Sequence, residues 1–255
     1  MSRSRVFAIV AVVILAVAVG GFVVYDQVLR GGAVAALSLP SAAPSSGASS
    51  ATTVPSAAAT TPASAASTIA PSDGDVAGTW TVTTGSQAGY RVREQLAALP
   101  AESDAVGRTD QVTGSITLET SGTTTTLTAG TITVDTASIT SDESRRDNRL
   151  RSEGLETDTY PTATFTLTQP VEIPAAALTG TPSDITLTGD LELHGVKKAV
   201  SIPAQAQLVD GTIQVAGSLE FPLSGFDITA PNIGGFIVSI ADSGTLEFLV
   251  TFSKG

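Results

Sequence analysis

The sequence predicts an all-β domain attached to a membrane by one N-terminal transmembrane helix. Three observations support this: apolar and polar residues alternate from Trp80 onward, an uncharged apolar run lies near the N-terminus, and a low-complexity stretch separates the two. The chain is therefore divided into residues 1–25, a cytoplasmic tip and transmembrane anchor, residues 26–72, a disordered tether, and residues 73–255, the folded domain. The last of these is long enough to bury one substantial core.

The alternation has a period of two residues. It is clearest in five runs, around Ile116, Ile132, Phe165, Leu187 and Phe248. Threonine, serine or an acidic residue occupies most of the positions between the apolar ones, which is typical of half-buried antiparallel strands. Turn-forming pairs separate the runs, at Ser121-Gly122, Asp210-Gly211 and Ser243-Gly244. This pattern predicts a sandwich or an up-and-down barrel.

One segment departs from the alternation and predicts a short helix. The tetrapeptide at residues 140–143, Thr-Ser-Asp-Glu, has the form of a capping box, and Gly154 is placed to end the helix. Asp142–Arg146 and Asp147–Arg151 have the i,i+4 spacing of surface ion pairs. Because the segment has few apolar residues, we expect it to lie across an end of the β structure rather than in the core.

The apolar run Val6–Val24 contains 19 uncharged residues. As a helix it would nearly span a hydrocarbon core of about 30 Å. Arg3 and Arg5 precede it, and such a basic tip stays in the cytoplasm, so the rest of the chain is expected outside. A cleaved signal peptide is the alternative, although its apolar core is usually shorter. Both interpretations place the domain outside the cytoplasm, either on a single-pass anchor or secreted.

The tether prediction rests on composition. In Ser38–Ser72, 31 of 35 residues are Ala, Ser, Thr or Pro. Such a segment lacks the apolar side chains that would offset its ordering entropy, and its prolines disfavour helix. Its Ser, Thr and Pro content also suits O-glycosylation.

Charge and residue content exclude several classes of function. The chain has 13 Lys and Arg and 24 Asp and Glu, and the part from Asp73 onward has a formal charge of −13. We therefore expect no nucleic-acid partner, since phosphate contacts require a basic surface. The chain has no cysteine and one histidine, His194, so thiolate chemistry is excluded and neither a metal site nor a cofactor is expected. His194 shares a strand face with Asp190 and Glu192, which favours a structural role over a catalytic triad.

The predicted helix carries the one basic cluster of the acidic domain. Its members are Arg145, Arg146, Arg149 and Arg151. One interpretation is a solvated helix face whose arginines pair with neighbouring acids. The other is an anion site, because guanidinium groups bind phosphate in a bidentate manner.

Several motifs in this order resemble the YceI-like family. They are Ala137-Ser138-Ile139, the run Arg146–Ser152, the run Tyr160–Phe165 and the run Leu187–Lys198, and they cover most of the stretch from Val106 to Leu208. The resemblance implies an extended antiparallel, lipocalin-like β-barrel with an apolar interior. It also implies binding of polyisoprenoid or related amphiphilic lipids, in many members within the bacterial cell envelope. Arg149 stands where the family motif usually carries histidine.

Together these observations predict a non-enzymatic, membrane-anchored barrel that binds an isoprenoid or other amphiphilic lipid. The side chains expected to line the ligand are those of Phe165, Leu167, Leu187, Leu191, Phe221 and Phe248. Arg145, Arg146 and Arg149 are the candidates for contact with a polar head group. Core packing is the simpler role for each apolar residue, because small barrels fill themselves with side chains. The alternative function is an interaction or structural module, a filled barrel displayed on a tether.

Overall fold

The computed structural model describes residues 34–40, 76–96, 102–230 and 237–255. Twelve strands lie within these ranges. They are β1 Gly78–Val82, β2 Gln87–Leu96, β3 Glu102–Thr109, β4 Val112–Ser121, β5 Thr124–Asp135, β6 Thr162–Leu167, β7 Val171–Ile173, β8 Ser183–Leu193, β9 Val196–Val209, β10 Thr212–Pro222, β11 Ile237–Ile240 and β12 Ser243–Lys254. Two short helices accompany them, α1 Ser144–Arg149 and α2 Ala175–Leu178.

The strands form one closed antiparallel barrel. In four places two consecutive strands are the two halves of one longer strand. In three of them both halves pair with the same neighbour: β1 and β2 with β12, β6 and β7 with β5, and β11 and β12 with β2. The fourth is β3 with β4, which pair with the two halves β2 and β1. The described residues therefore form an eight-stranded barrel in which neighbours in space are neighbours in sequence, and pairing of β1 with β12 closes it. Closure removes the exposed sheet edges. The predicted all-β barrel with one short helix across its end is confirmed, and α2 is a second, four-residue helix.

Two of the three turns predicted from the sequence are confirmed. Asp210 and Gly211 join β9 to β10 with φ of 50° and 73°, as a two-residue hairpin turn requires. Gly122 likewise has positive φ in the turn between β4 and β5. The prediction of a turn at Ser243-Gly244 is wrong. Both residues pair with β10 inside β12, and the turn lies just before them.

The helix begins later than the capping box predicts. Thr140 exchanges two backbone hydrogen bonds with Arg108, at 2.9 and 3.0 Å, and this bridge keeps it extended. Glu143 is the N-cap instead, and its carboxylate accepts from the Arg145 amide at 3.0 Å. A π-helical turn, Leu150–Gly154, continues α1 and ends at the predicted glycine.

Of the two ion pairs predicted along the helix, one forms. Arg146 Nη1 lies 2.6 Å from Asp142 Oδ1. The Asp147–Arg151 pair is not formed, because the Asp147 carboxylate accepts from the Ser141 amide at 3.0 and 3.1 Å and from its hydroxyl at 2.5 Å. Asp147 thus holds the loop before α1.

The N-terminal predictions fall mostly outside the described residues. This applies to the anchor at residues 1–25 and to residues 26–33 and 41–72 of the tether. No helix in the described ranges combines the length and apolar character needed to span a bilayer. Val34–Pro40, within the predicted tether, is described, and it lies against the barrel with Leu39 only 8% exposed.

Gly189 marks a close approach between strands, and it allows a test of the fold. A Cβ at this position would collide with the carbonyl oxygen of Thr166 and lie 2.6 Å from Cζ of Phe165, whose ring lies across the glycine. We expect Gly189→Ala to lower the free energy of unfolding by about 1–3 kcal/mol, the usual cost of overpacking. Denaturant unfolding would measure it. Ser201→Ala, an exposed position on the neighbouring strand β9, should change stability by less than about 0.5 kcal/mol.

Candidate functional site

The inward faces of the strands enclose an internal cavity of about 250 Å³. Its lining is dominated by Leu, Ile, Val, Phe and Ala side chains from the strands, with Leu150 and Leu155 closing the end near α1. The alternation explains this arrangement, since every second residue of a strand points to the same face. The barrel is therefore hollow rather than filled by its own side chains.

The structure places all six predicted lining residues on this cavity: Phe165, Leu167, Leu187, Leu191, Phe221 and Phe248. Leu187 belongs to a larger apolar cluster that extends towards Trp80 and Phe252. Leu191 and Phe221 belong to a second cluster near Phe226 and Leu155. The alternation along each strand thus places all six side chains on the same inward surface. Their contact with a ligand stays a prediction.

An empty cavity of this size is energetically unfavourable. At about 24 cal/mol per Å³ of closed void, a space of 250 Å³ forgoes at most roughly 6 kcal/mol of packing. That is comparable to the whole stability of an ordinary domain, about 5–15 kcal/mol. For comparison, a dry apolar cavity of about 150 Å³ is enough to bind benzene. An apolar occupant would recover much of the lost packing.

One end of the cavity carries a buried charge pair. Arg146, on α1, directs Nη2 to Glu94 Oε1 of β2 at 2.6 Å, while its Nη1 contacts Asp142 at 2.6 Å. The Glu94 side chain is 3% exposed and that of Arg146 is 11% exposed. Both residues line the cavity, together with Tyr90, which lies four positions before Glu94 on the inward face of β2. The pair fixes α1 across the barrel end.

Two polar atoms at this end are buried without a partner. Neither Tyr90 Oη nor Arg146 Nε has a hydrogen-bond partner among the described residues. Buried polar groups are normally paired, since an unmade hydrogen bond costs about 1–3 kcal/mol. A polar ligand group that reached this end would meet two hydrogen-bonding atoms that no residue of the described ranges engages.

Burial and charge set the protonation of these groups. Burial raises the pKa of Tyr90 from 10.0 to about 12, and the Arg146 charge opposes this. Burial also raises the pKa of Glu94, against the lowering effect of Arg146. For Arg146, burial lowers the pKa, but the hydrogen bonds and charges of Asp142 and Glu94 outweigh this effect. The pKa of Arg146 is therefore raised overall, and its guanidinium stays charged. The cavity end thus offers a neutral phenol and a permanent cation.

Tyr90→Phe tests this description of the phenol. The pKa of Tyr90 is about 12 in the folded protein and 10.0 in the unfolded chain. Folding is therefore stabilised by the protonated phenol below pH 10, and this contribution is lost as the pH rises through 12. The wild-type chain should lose roughly 3 kcal/mol of unfolding free energy through Tyr90 as the pH rises from below 10 to above 12, and Tyr90→Phe should lack this component. Unfolding measured along an alkaline pH series would show it, and Tyr160→Phe, which keeps Tyr90, should behave as wild type.

The other two arginines of the predicted head-group set lie elsewhere. Arg145 is exposed, and Arg149 is exposed and pairs with Glu153 one turn further along. Of the three, only Arg146 is among the residues that line the cavity. Arg146 and Arg149 thus pair with acidic residues, as the first interpretation predicts, and an anion site at this cluster stays a prediction.

His194 occupies the turn between β8 and β9 with φ of 52°. Its Nδ1 donates to the carbonyl of Phe226 at 3.0 Å, and its Nε2 lies 3.2 Å from the Glu156 carboxylate. The ring also packs edge-on against Tyr160, 4.8 Å between centroids. These contacts join three loops and give the histidine a structural role.

Sequence reasoning missed Tyr90 and Glu94. The signal was present, because Ala88, Tyr90, Val92 and Glu94 alternate on one face of β2 and a carboxylate on an apolar face calls for a buried partner. In the ranges that the structure describes, no group of three His, Asp or Glu side chains could hold a metal ion.

The fold and cavity define a closed up-and-down β-barrel with an apolar interior. The chain belongs to the YceI-like family, since the family model of the YceI-like domain matches residues 80–252. No curated protein compared with the chain matches it.

The chain is similar to several solved structures. One is a polyisoprenoid-binding domain from Saccharophagus degradans implicated in plant cell wall breakdown, with a TM-score of 0.54 and 20% identity over 70% of this chain and 99% of that one. Burkholderia cenocepacia BcnA gives a TM-score of 0.49 and 19% identity over 65% of this chain and 95% of that one. The Campylobacter jejuni YCEI protein gives a TM-score of 0.45 and 19% identity over 58% of this chain and 85% of that one.

Proposed function

We propose that this protein binds an amphiphilic lipid of the isoprenoid type within its barrel, without catalysing a reaction. The observation that carries the proposal is the apolar cavity of about 250 Å³, which ends at unpartnered polar atoms of Tyr90 and Arg146. An apolar chain with one polar terminus matches both parts. The polyisoprenoid-binding domain from Saccharophagus degradans, which shares the fold, supports the choice of ligand class.

We further propose that the barrel works outside the cytoplasm, on a membrane anchor formed by Val6–Val24. The support is the 19-residue uncharged run that follows Arg3 and Arg5. In this arrangement the barrel would carry or sequester a lipid in the cell envelope. Labelling the intact chain in cells with a membrane-impermeant reagent, at a cysteine introduced on the barrel, tests the location. Reaction only after cell lysis would contradict it.

Binding of a homologous series of linear alcohols, from hexanol to dodecanol, tests the binding function. Residues 34–255 suit this measurement because the closed barrel has its own core. Each methylene buried in the cavity is worth about 0.8 kcal/mol, so affinity should rise about fourfold per methylene until the cavity is full, and then level off. Calorimetry on the delipidated protein would measure the series.

The result also separates binding from the alternative function. A filled interaction module would show no saturable binding of any alcohol, or an affinity that rises with chain length without levelling off, as for partition to a surface. Tyr90→Phe should weaken binding of every alcohol by a similar factor while leaving the chain-length slope unchanged, since the hydroxyl end alone is affected.

A further inference from the structure

A short segment outside the barrel domain lies on the barrel's outer surface. Val34–Pro40 is separated from the first strand by residues 41–77, yet it contacts β2, β3 and β12. The Val34 carbonyl accepts from Arg91 Nη2 at 2.8 Å, the Ala35 carbonyl accepts from Arg108 Nη2, and the Leu37 amide donates to Glu247 Oε2 at 3.4 Å. Donors and acceptors of the segment's backbone thus meet complementary side chains.

The surface that receives the segment is built across three strands. Glu247 of β12 and Arg108 of β3 are both in register with Gly89 of β2, which lies between them. The Arg108 side chain crosses this glycine, and its Nη2 lies 2.7 Å from Glu247 Oε1. A Cβ on Gly89 would lie 2.0 Å from the carbonyl oxygen of Gly107 and 3.0 Å from Arg108 Cα and Cγ, so both the close approach of β3 and the crossing of the arginine require glycine here.

Burial at this surface exceeds what an outer barrel face normally shows. The Glu247 side chain is only 3% exposed, although it alternates with the inward residues Leu246 and Phe248. Val106, which alternates with the inward Ala105 on β3, is 8% exposed. Leu39 of the segment is also 8% exposed. The outer face therefore holds a buried carboxylate and an apolar residue, as a face covered by a peptide does.

We propose that the outer face of β2, β3 and β12 is a docking surface for an extended peptide, and that its occupant is this chain's own segment Val34–Pro40. The docked segment acts as a strap that fixes the barrel's distance from the N-terminal apolar run. Its functional consequence rests on the anchor proposed above, whereas the docking itself does not.

The strap changes the reach of the barrel. Only residues 25–33 separate Val24, the end of the apolar run, from Val34. Even when fully extended, that stretch spans at most about 35 Å. Without the strap, the connection to Val76 would allow up to about 180 Å. A docked strap thus keeps the barrel near the membrane surface, where an amphiphilic lipid would enter or leave.

A spin label attached to the full-length chain in nanodiscs tests the docking. The chain has no cysteine, so Ala36→Cys gives one labelling site in the strap, at an exposed position. Docking predicts a motionally restricted spectrum. Leu39→Asp should release the strap and give the narrow lines of a free segment. Ser38→Asp adds the same charge at the neighbouring exposed residue and should keep the restricted spectrum.

Energy transfer from a donor on the barrel to acceptor lipids tests the consequence. The donor is placed at Thr186→Cys, an exposed residue of β8, in a chain without the spin label. Leu39→Asp should lower the transfer relative to wild type, and Ser38→Asp should not. A restricted spectrum together with unchanged transfer would leave the docking intact and contradict the role in distance. Circular dichroism verifies that the barrel is folded in each variant.

Two results would overturn the proposal. The first is a narrow spectrum for the wild-type strap, or one that Leu39→Asp leaves unchanged. The second is a restricted spectrum found only in dimers, with the label free in monomers separated by size, because the surface would then receive the segment of a second copy. A chain that fails to insert into nanodiscs would contradict the anchor alone, since the spectrum can be recorded without a membrane.

Discussion

Arg146→Met is expected to lower the free energy of unfolding by about 3–5 kcal/mol. Methionine keeps much of the apolar stem but removes the partner of Glu94, whose carboxylate is 3% exposed and lies 2.6 Å from the guanidinium. Breaking a buried ion pair by removing one partner costs this much because the remaining charge is left uncompensated. Denaturant unfolding at neutral pH would measure the loss.

Two further variants make this result specific. Arg149→Met removes an exposed arginine from the same helix and should cost less than about 1 kcal/mol. Adding Glu94→Gln to Arg146→Met should recover a large part of the loss, because an amide carries no buried charge. If the double variant were as unstable as the single one, the loss would lie in the packing of α1 rather than in charge.

The pH dependence follows from the direction of the Glu94 shift. Burial raises the pKa of Glu94 above 4.5 in the folded protein. Its contribution to stability is therefore fully present below the unfolded pKa and is lost as pH rises through the folded one. Arg146 opposes that shift, so Arg146→Met should raise the folded pKa further and be most destabilising at neutral pH. A loss of stability that did not diminish on acidification would contradict this.

Ala206→Phe is expected to abolish binding of the longer alcohols and to stabilise the empty barrel. Ala206 lines the cavity and is 4% exposed, so a phenylalanine ring there would occupy space otherwise open to a ligand. Filling part of the void should recover up to a few kcal/mol, at about 24 cal/mol per Å³ filled. Thermal unfolding and calorimetry of the delipidated protein would report the two effects.

The matched control lies one residue away. Gln205 is exposed on the opposite face of β9, so Gln205→Phe adds a similar ring outside the barrel. It should leave both binding and stability close to wild type. A loss of binding in both variants would show that the effect is not a matter of cavity volume.

Much of the barrel could be predicted because its strands are amphipathic. A period of two residues assigns every side chain of a strand to one face, and this places Leu187 and Phe248 on the cavity without any knowledge of the pairing. The hairpin at Asp210-Gly211 is equally local, since its backbone needs residues that tolerate positive φ.

What the sequence could not predict depends on long-range contacts. Whether the barrel is hollow follows from its diameter and from the combined volume of all inward side chains, and no single strand contains that information. The role of Arg146 depends on Glu94, which lies 52 residues earlier and meets it only after closure. The N-cap moved to Glu143 because Thr140 pairs with Arg108 on β3. Composition alone predicts a tether around Leu39, whereas the structure buries that side chain and hydrogen-bonds the backbone of its segment to the barrel.

Native mass spectrometry of the full-length chain, purified under mild conditions from the cells that produce it, tests the central claim most directly. We predict one bound molecule per barrel, released on unfolding and identified as an amphiphile with a long apolar chain. Ala206→Phe should lack this adduct, and Gln205→Phe should retain it. A wild-type protein free of any adduct, which also fails to take up an added isoprenoid lipid, would contradict the account.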